Sequence, residues 1–231
     1  MTLEQAQAVA TAPPAPEFEI VGASHVAFAA SPTMLFEAVA TEPTGAAIQS
    51  IALTAQVMID PARRGYDAET RLRLTELFGP PSSWAPSTSG LPWARVAAAV
   101  PGFAGETRFS LEVPCTYDLE VAAAKYFYAV QDGEVPLTFH FNGNVFYYAN
   151  PTHPAAGPDG RLQVMPISWT TSSQYRMPVQ VWRAMIAEHY PGGGWIRLSD
   201  ETLRALHERR AARGLASLDA CVVELLERGD G

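Results

Sequence analysis

Between Ile48 and Asp60 apolar and polar positions alternate without a break. Ile51, Leu53, Ala55, Val57 and Ile59 fall on one side, and Ala52, Thr54, Gln56 and Met58 on the other. A period of two is the pattern of a strand with one face toward a core, and Pro61 ends it. His25–Ala30 and Thr33–Ala40 read as shorter strands around a Ser31-Pro32 turn; in the second, Met34, Phe36 and Ala38 share a side. Glu106–Val113 and Leu137–Tyr148 repeat the alternation, and Arg161–Trp169 reads as a strand returning against the latter. Asn142-Gly143 leaves two arrangements open. One is a tight hairpin that sets Phe139 opposite Phe146; the other is a bulge inside one long strand. Strands at hairpin spacing predict an antiparallel sheet with one wet face.

Elsewhere the period lengthens. Asp67 can cap a helix over Ala68–Phe78, with Leu72, Leu74 and Leu77 as its apolar residues and Gly79-Pro80-Pro81 as its stop. Residues 82–92 read as a Ser/Pro/Gly loop holding Trp84, with Trp93 just beyond it. Leu119, Ala122, Ala123, Tyr126, Phe127 and Val130 recur at helical spacing, with Asp118 as N-cap and Gly133 past the end. The β-prone run Tyr126-Phe127-Tyr128 keeps a strand open as the alternative. Pro178 opens a helix to Tyr190, Ser199 begins another that Gly214 ends, and Ser217 begins a third. The predicted class is α+β: an antiparallel sheet or sandwich with inserted helices and a C-terminal helical segment packed on it. The expected organisation is a flexible leader over 1–17, a β-rich domain over 18–171 and a helical segment over 172–231.

Composition narrows the function. The chain has 231 residues, 48% hydrophobic and 17% charged, which is a globular balance. Its net charge of −8 argues against a nucleic-acid surface, which needs basic patches. No apolar run approaches the roughly 20 residues that span a bilayer. The first 17 residues lack the basic and apolar regions of a secretory signal. A cytoplasmic protein is expected. Cys115 and Cys221 form no CxxC pair and read as buried thiols.

The polar residues offer little catalytic chemistry. None of His25, His140, His153, His189 and His207 sits in an HxH or HExxH pattern, so no metal site is expected. Cys115 lies near Asp118 and Glu120, carboxylates that would raise a thiol pKa. There is no GxSxG elbow or Walker loop, and Gly192-Gly193-Gly194 precedes no Lys-Ser/Thr. The Arg63-Arg64-Gly65-Tyr66 group reads as solvated. No catalytic residue and no cofactor are expected. Two contact sites remain. Trp84, Trp93, Tyr126 and Trp182 are candidates to line a small apolar pocket. Phe139, Phe141, Phe146 and Tyr148 are candidates for a partner-facing patch, with Trp169 adding aromatic density nearby.

One further signal is a resemblance. It rests on Ile51-Ala52-Leu53, Ile59-Asp60-Pro61-Ala62-Arg63-Arg64, Leu77-Phe78-Gly79 with Trp84, and Val113-Pro114-Cys115-Thr116-Tyr117-Asp118. Lys125-Tyr126-Phe127, Gly133-Glu134-Val135-Pro136-Leu137, Gly143-Asn144-Val145-Phe146-Tyr147 and Pro178-Val179-Gln180-Val181-Trp182 extend it. Together, over about residues 17 to 228, the chain resembles a bacterial family whose genes lie beside those of high-affinity nickel–iron uptake hydrogenases. The resemblance implies a setting, hydrogenase assembly, support or regulation, and carries no catalytic residues. The chain lacks the CxxC pairs and His-rich tracts of a metallochaperone, which argues against nickel delivery. The expected function is that of a non-catalytic accessory protein acting by contact with a hydrogenase subunit or maturation factor, or with a second copy of itself. The alternative is a small-ligand-binding β-sandwich.

Overall fold

The computed structural model describes residues 13–81, 84, 90–115, 121–148, 162–192 and 196–229. Asp118, Leu119 and His153 lie outside the described residues, as do most of the expected leader and loop 82–92. The chain divides into two compact units, Met1–Gly194 and Trp195–Gly231.

In the first unit, β1 (Glu17–His25), β2 (Thr33–Thr41) and β5 (Glu106–Pro114) form an antiparallel sheet in the order β1-β2-β5. A second antiparallel sheet runs β4 (Leu91–Phe103), β3 (Ile48–Ile59), β6 (Glu134–Tyr148), β7 (Leu162–Pro166). A further strand, β8 (Ser172–Pro178), also pairs with β6. The class is therefore α+β, as the patterns predict. The two sheets face each other through aromatic rings. Phe36 of β2 meets Phe139 of β6 at 5.0 Å between ring centroids, and Phe18 of β1 meets Phe141 at 4.9 Å. On β3 the expected side faces inward, with Ile51, Leu53, Ala55, Val57 and Ile59 all buried.

Asn142-Gly143 forms neither a hairpin nor a bulge. β6 is one strand of 15 residues, and its register with β3 runs unbroken from Ile51/Val145 to Ile59/Leu137. Gly143 is needed for close approach, because a Cβ there would lie 2.0 Å from the Ala52 carbonyl oxygen. The other edge of β6 is shared: β8 pairs with Glu134–His140 and β7 with Asn144–Tyr148. Gly143 sits between them and accepts a hydrogen bond from the Ile167 N–H at 2.9 Å.

Several elements differ from the sequence reading. The apolar run from Val26 to Ala30 is not a strand; the strand precedes it, burying Phe18 and Ile20 between exposed Glu17 and Glu19. The Ala-rich stretch after Trp93 forms β4, whose small side chains carry little β signal. Ser172–Pro178, too polar to read as a strand, is held in the sheet as β8. The helix after Asp67 breaks at Leu74 into α1 (Ala68–Arg73) and α2 (Thr75–Phe78), leaving Leu72 exposed and Leu74 buried. Asp67 caps it as expected, accepting from the Thr70 N–H at 2.7 Å. The Tyr126 region is helical, α3 (Ala122–Ala129). The helix after Pro178 is α4 (Val179–His189), which buries Val179, Trp182, Met185 and Ile186.

Glu42 holds the β2–β3 turn. Its buried carboxylate accepts from the N–H groups of Ala15 and Ala46 and from the Thr44 hydroxyl. Burial alone would push its pKa up; the hydrogen bonds from Thr44, Ala15 and Ala46 outweigh it and hold the carboxyl below its ordinary value.

The second unit is a helical pair, α5 (Asp200–Arg213) and α6 (Leu218–Gly229). Ser199 caps α5 through the Thr202 N–H, and Gly214 ends it in the left-handed conformation. The pair buries Leu206 and Cys221, and the Glu224 carboxylate gathers Arg209, Arg213 and Arg228.

Candidate functional site

The four residues expected to line a pocket belong to one aromatic network, and its rings pack on one another. Trp84 stands edge-on to Tyr66 at 5.6 Å and to Phe78 at 5.4 Å, and its indole N–H donates to the Gly79 carbonyl at 2.8 Å. Tyr126 is fully buried. The Tyr66 hydroxyl donates to the Pro61 carbonyl at 2.7 Å, so it must accept the Tyr126 proton across their 2.8 Å contact. Burial pushes both phenols up, which keeps both protons in place. Trp182 stacks on Phe127 at 5.2 Å, and Phe127 meets Trp93 at 4.7 Å. Trp182 also lines a groove of about 580 Å³ along α4, with Tyr128, Gln180, Arg183 and Tyr190.

Arg64 takes part in this network, a role the sequence did not suggest. Its guanidinium lies 5.1 Å from the centre of the Tyr66 ring and donates to the Glu134 carbonyl at 3.0 Å. It thereby ties the chain after β3 to the start of β6.

The four partner-facing candidates divide by parity along β6. Phe139 and Phe141 are core residues between the sheets, at 0% and 1% exposure, which corrects the expectation for them. Phe146 and Tyr148 stand on the opposite, outer face and are half-buried. Side chains alternate along an uninterrupted strand, so the four cannot share a surface. Trp169, in the β7–β8 turn, is 88% exposed.

Cys115 is chemically muted. Burial pushes its thiol up to about 12, and its S–H donates to the Val113 carbonyl at 3.3 Å. Alkylation of the folded chain by iodoacetamide at pH 8 is expected to modify Cys115 roughly a thousandfold more slowly than a free thiol of pKa about 8.5. Its rate should still be climbing at pH 10. Peptide mass mapping of the alkylated cysteine checks this; fast labelling with a plateau near pH 9 would contradict it. Among the described residues, no three His, Cys, Asp or Glu side chains gather as metal ligands do. No helix among them is long and apolar enough to cross a membrane.

The most unusual local geometry lies in the β1–β2 loop. Phe28 has φ 56°, the only positive value outside glycine among the described residues, and its side chain is 96% exposed. A bulky residue in this region is strained by about 1 kcal/mol or more, so surrounding contacts must hold it there. Those contacts come from the C-terminal end of α4, some 160 residues away in sequence. The Glu188 carboxylate accepts from the Phe28 N–H at 3.2 Å and contacts His25 Nε2 at 2.8 Å. The hydrogen bonds from His25 and Phe28 hold the Glu188 carboxyl below its ordinary value. His189 reaches the Ala29 carbonyl through Nε2 at 3.2 Å and the Met185 carbonyl through Nδ1 at 3.0 Å. A neutral imidazole can donate to one of these carbonyls, and an imidazolium to both. Val26 closes the loop by donating to the Thr33 carbonyl at 2.9 Å. The whole arrangement holds the backbone that carries a bare aromatic ring into solvent. No sequence signal marks it, because phenylalanine is not a residue of left-handed turns and its anchors are remote.

No curated protein matches the chain. Residues 13–231 match a family model described as a family of unknown function, DUF6084. The match spans nearly the whole sequence, from before β1 to the end of α6, and the chain belongs to the DUF6084 family.

Proposed function

We propose that this chain is a non-catalytic, cytoplasmic accessory protein that works by contact with a subunit or maturation factor of a nickel–iron hydrogenase. The observation that carries the contact reading is the Phe28 loop. Burying a phenylalanine ring is worth about 1.5–3 kcal/mol, and this ring stands in solvent on a backbone held by Glu188 and His189. An aromatic anchor on a pre-set backbone meets a partner at lower entropic cost than one on a mobile loop, and aromatic anchors are typical of interface hot spots. The choice of partner follows from the resemblance to proteins encoded beside hydrogenases. Both cysteines are free thiols, in keeping with a reducing compartment.

The test is affinity capture with the tagged full-length chain expressed in its native host. Recovery of hydrogenase subunits or maturation factors by the natural chain, with loss in a folded Phe28→Asp variant, supports the reading. Capture free of any hydrogenase component, or equal capture by the variant, overturns it.

A further inference from the structure

We propose that the groove along α4 binds a small organic monoanion with a flat apolar body, an aromatic carboxylate being the simplest case, and that Arg183 holds its charged end. The site shares no residue with the Phe28 contact and goes beyond it.

Helical spacing builds the groove. Gln180, Arg183, Ala184 and Ala187 recur at i, i+3, i+4 and i+7 of α4, which sets them on one stripe. Ala184 and Ala187 are exposed and their side chains end at Cβ, so the middle of the stripe is hollow. The neighbouring row, Trp182, Ile186 and then Tyr190 just past the helix end, leads toward the core, where Trp182 stacks on Phe127 of α3. That stack sets the two helices side by side, and Tyr128 of α3, 51% exposed, lines the groove from its other side. The Gln180 amide donates to the Gln131 carbonyl at 3.0 Å, just beyond α3, and ties the two walls together. The space of about 580 Å³ lies within the range of about 300–1,000 Å³ that small-molecule sites occupy.

Charge selects the ligand. Among the described residues that line the groove, Arg183 is the only charged one. It is half-buried, yet it has no ion-pair or hydrogen-bond partner among the described residues. The other half-buried arginines of the first unit are both engaged: Arg64 donates to the Glu134 carbonyl, and Arg73 to the Ala129 carbonyl and the Glu69 carboxylate. A guanidinium stays charged, and taking it from water without a partner is unfavourable. A carboxylate offsets that cost with two parallel charge-assisted hydrogen bonds. One cation calls for one negative charge. The groove also runs toward the C-terminal end of α4, whose carbonyls disfavour further negative charge, so a phosphate-like dianion fits worse than a monoanion. The rings of Tyr128 and Tyr190 and the methyl groups of Ala184 and Ala187 offer the apolar body its contacts. Elsewhere a chain of net charge −8 repels anions, which makes the groove selective.

Isothermal titration of the full chain with 2-naphthoate tests the proposal, with 2-naphthamide, the same rings without the charge, as the comparison. A ligand of this size in a formed site reaches a Kd of about 100 µM or tighter. The natural chain is expected to bind one naphthoate at that level and the amide at least about tenfold more weakly, as loss of charge-assisted hydrogen bonds predicts. Arg183→Gln should weaken naphthoate at least about tenfold and leave the amide as it was. Ala187→Trp, at an exposed position, should fill the groove and weaken naphthoate by a similar factor. Circular dichroism should show both variants folded. No binding by the natural chain up to about 1 mM, equal binding of acid and amide, or naphthoate binding unchanged in either variant overturns the proposal. Phe28→Asp should bind naphthoate as the natural chain does, which keeps this result separate from the hydrogenase contact.

Discussion

Replacing Gly143 with alanine is expected to destabilise the protein by about 4 kcal/mol or more, a large part of the 5–15 kcal/mol that typically holds a domain folded. The added Cβ would stand 2.0 Å from the Ala52 carbonyl oxygen, 3.0 Å from its carbonyl carbon and 3.2 Å from the Leu53 Cα. All three are backbone atoms of β3, a central strand, so no side chain can swing aside. The φ of 141° adds strain for any residue with a side chain. Relief requires β3 and β6 to separate where their register is unbroken. Gly45→Ala is the control: it also has a positive φ, 77°, but nothing lies within 4 Å of its added Cβ. That change should cost about 1 kcal/mol. Urea denaturation of both variants decides the matter, and a loss under about 1 kcal/mol for Gly143→Ala would refute the close-approach argument.

The second large effect is expected at Phe127. Its ring is fully buried, 4.7 Å from Trp93 of β4 and stacked at 5.2 Å on Trp182 of α4. Phe127 itself belongs to α3. One side chain therefore joins three elements that are distant in sequence. Phe127→Ala should cost about 3–5 kcal/mol, the range for truncating a buried aromatic and leaving a cavity. The tryptophan emission should also shift to the red as Trp93 and Trp182 meet water. Phe127→Leu, which refills most of the volume, should recover more than half of the loss. A loss under about 1.5 kcal/mol for the alanine variant would mean that the neighbours collapse into the space, and that the network is less rigid than its geometry implies.

Alternation in the sequence was a reliable guide wherever it ran long. The inward side of β3 and the inward side of β2 follow directly from it, and the helix ends at Asp67, Ser199 and Gly214 follow from capping chemistry. It failed where the side chains are small or polar. In β4 the alanines carry no preference strong enough to mark a strand, and in β8 the pairing with β6 decides what the residues do not. For the candidate sites the obstacle differs. Parity along Leu137–Tyr148 separates Phe139 and Phe141 from Phe146 and Tyr148 once the strand is known to be continuous. The hairpin reading of Asn142-Gly143 concealed this. Which side faces the core depends on the other sheet, and no local pattern specifies it. The Phe28 loop lies beyond sequence reasoning for a third reason: its geometry is imposed by Glu188 and His189 from another element.

Because β7 and β8 divide one edge of β6 between them, the sheet has a seam. β7 is only five residues long and is bonded on one side only, so it can detach while the β8 half stays zipped. Backbone amides along β7 should therefore trade their protons with solvent by local breathing, without global unfolding. Deuterium uptake at this one strand therefore reads the opening of the seam separately from the unfolding of the rest of the sheet.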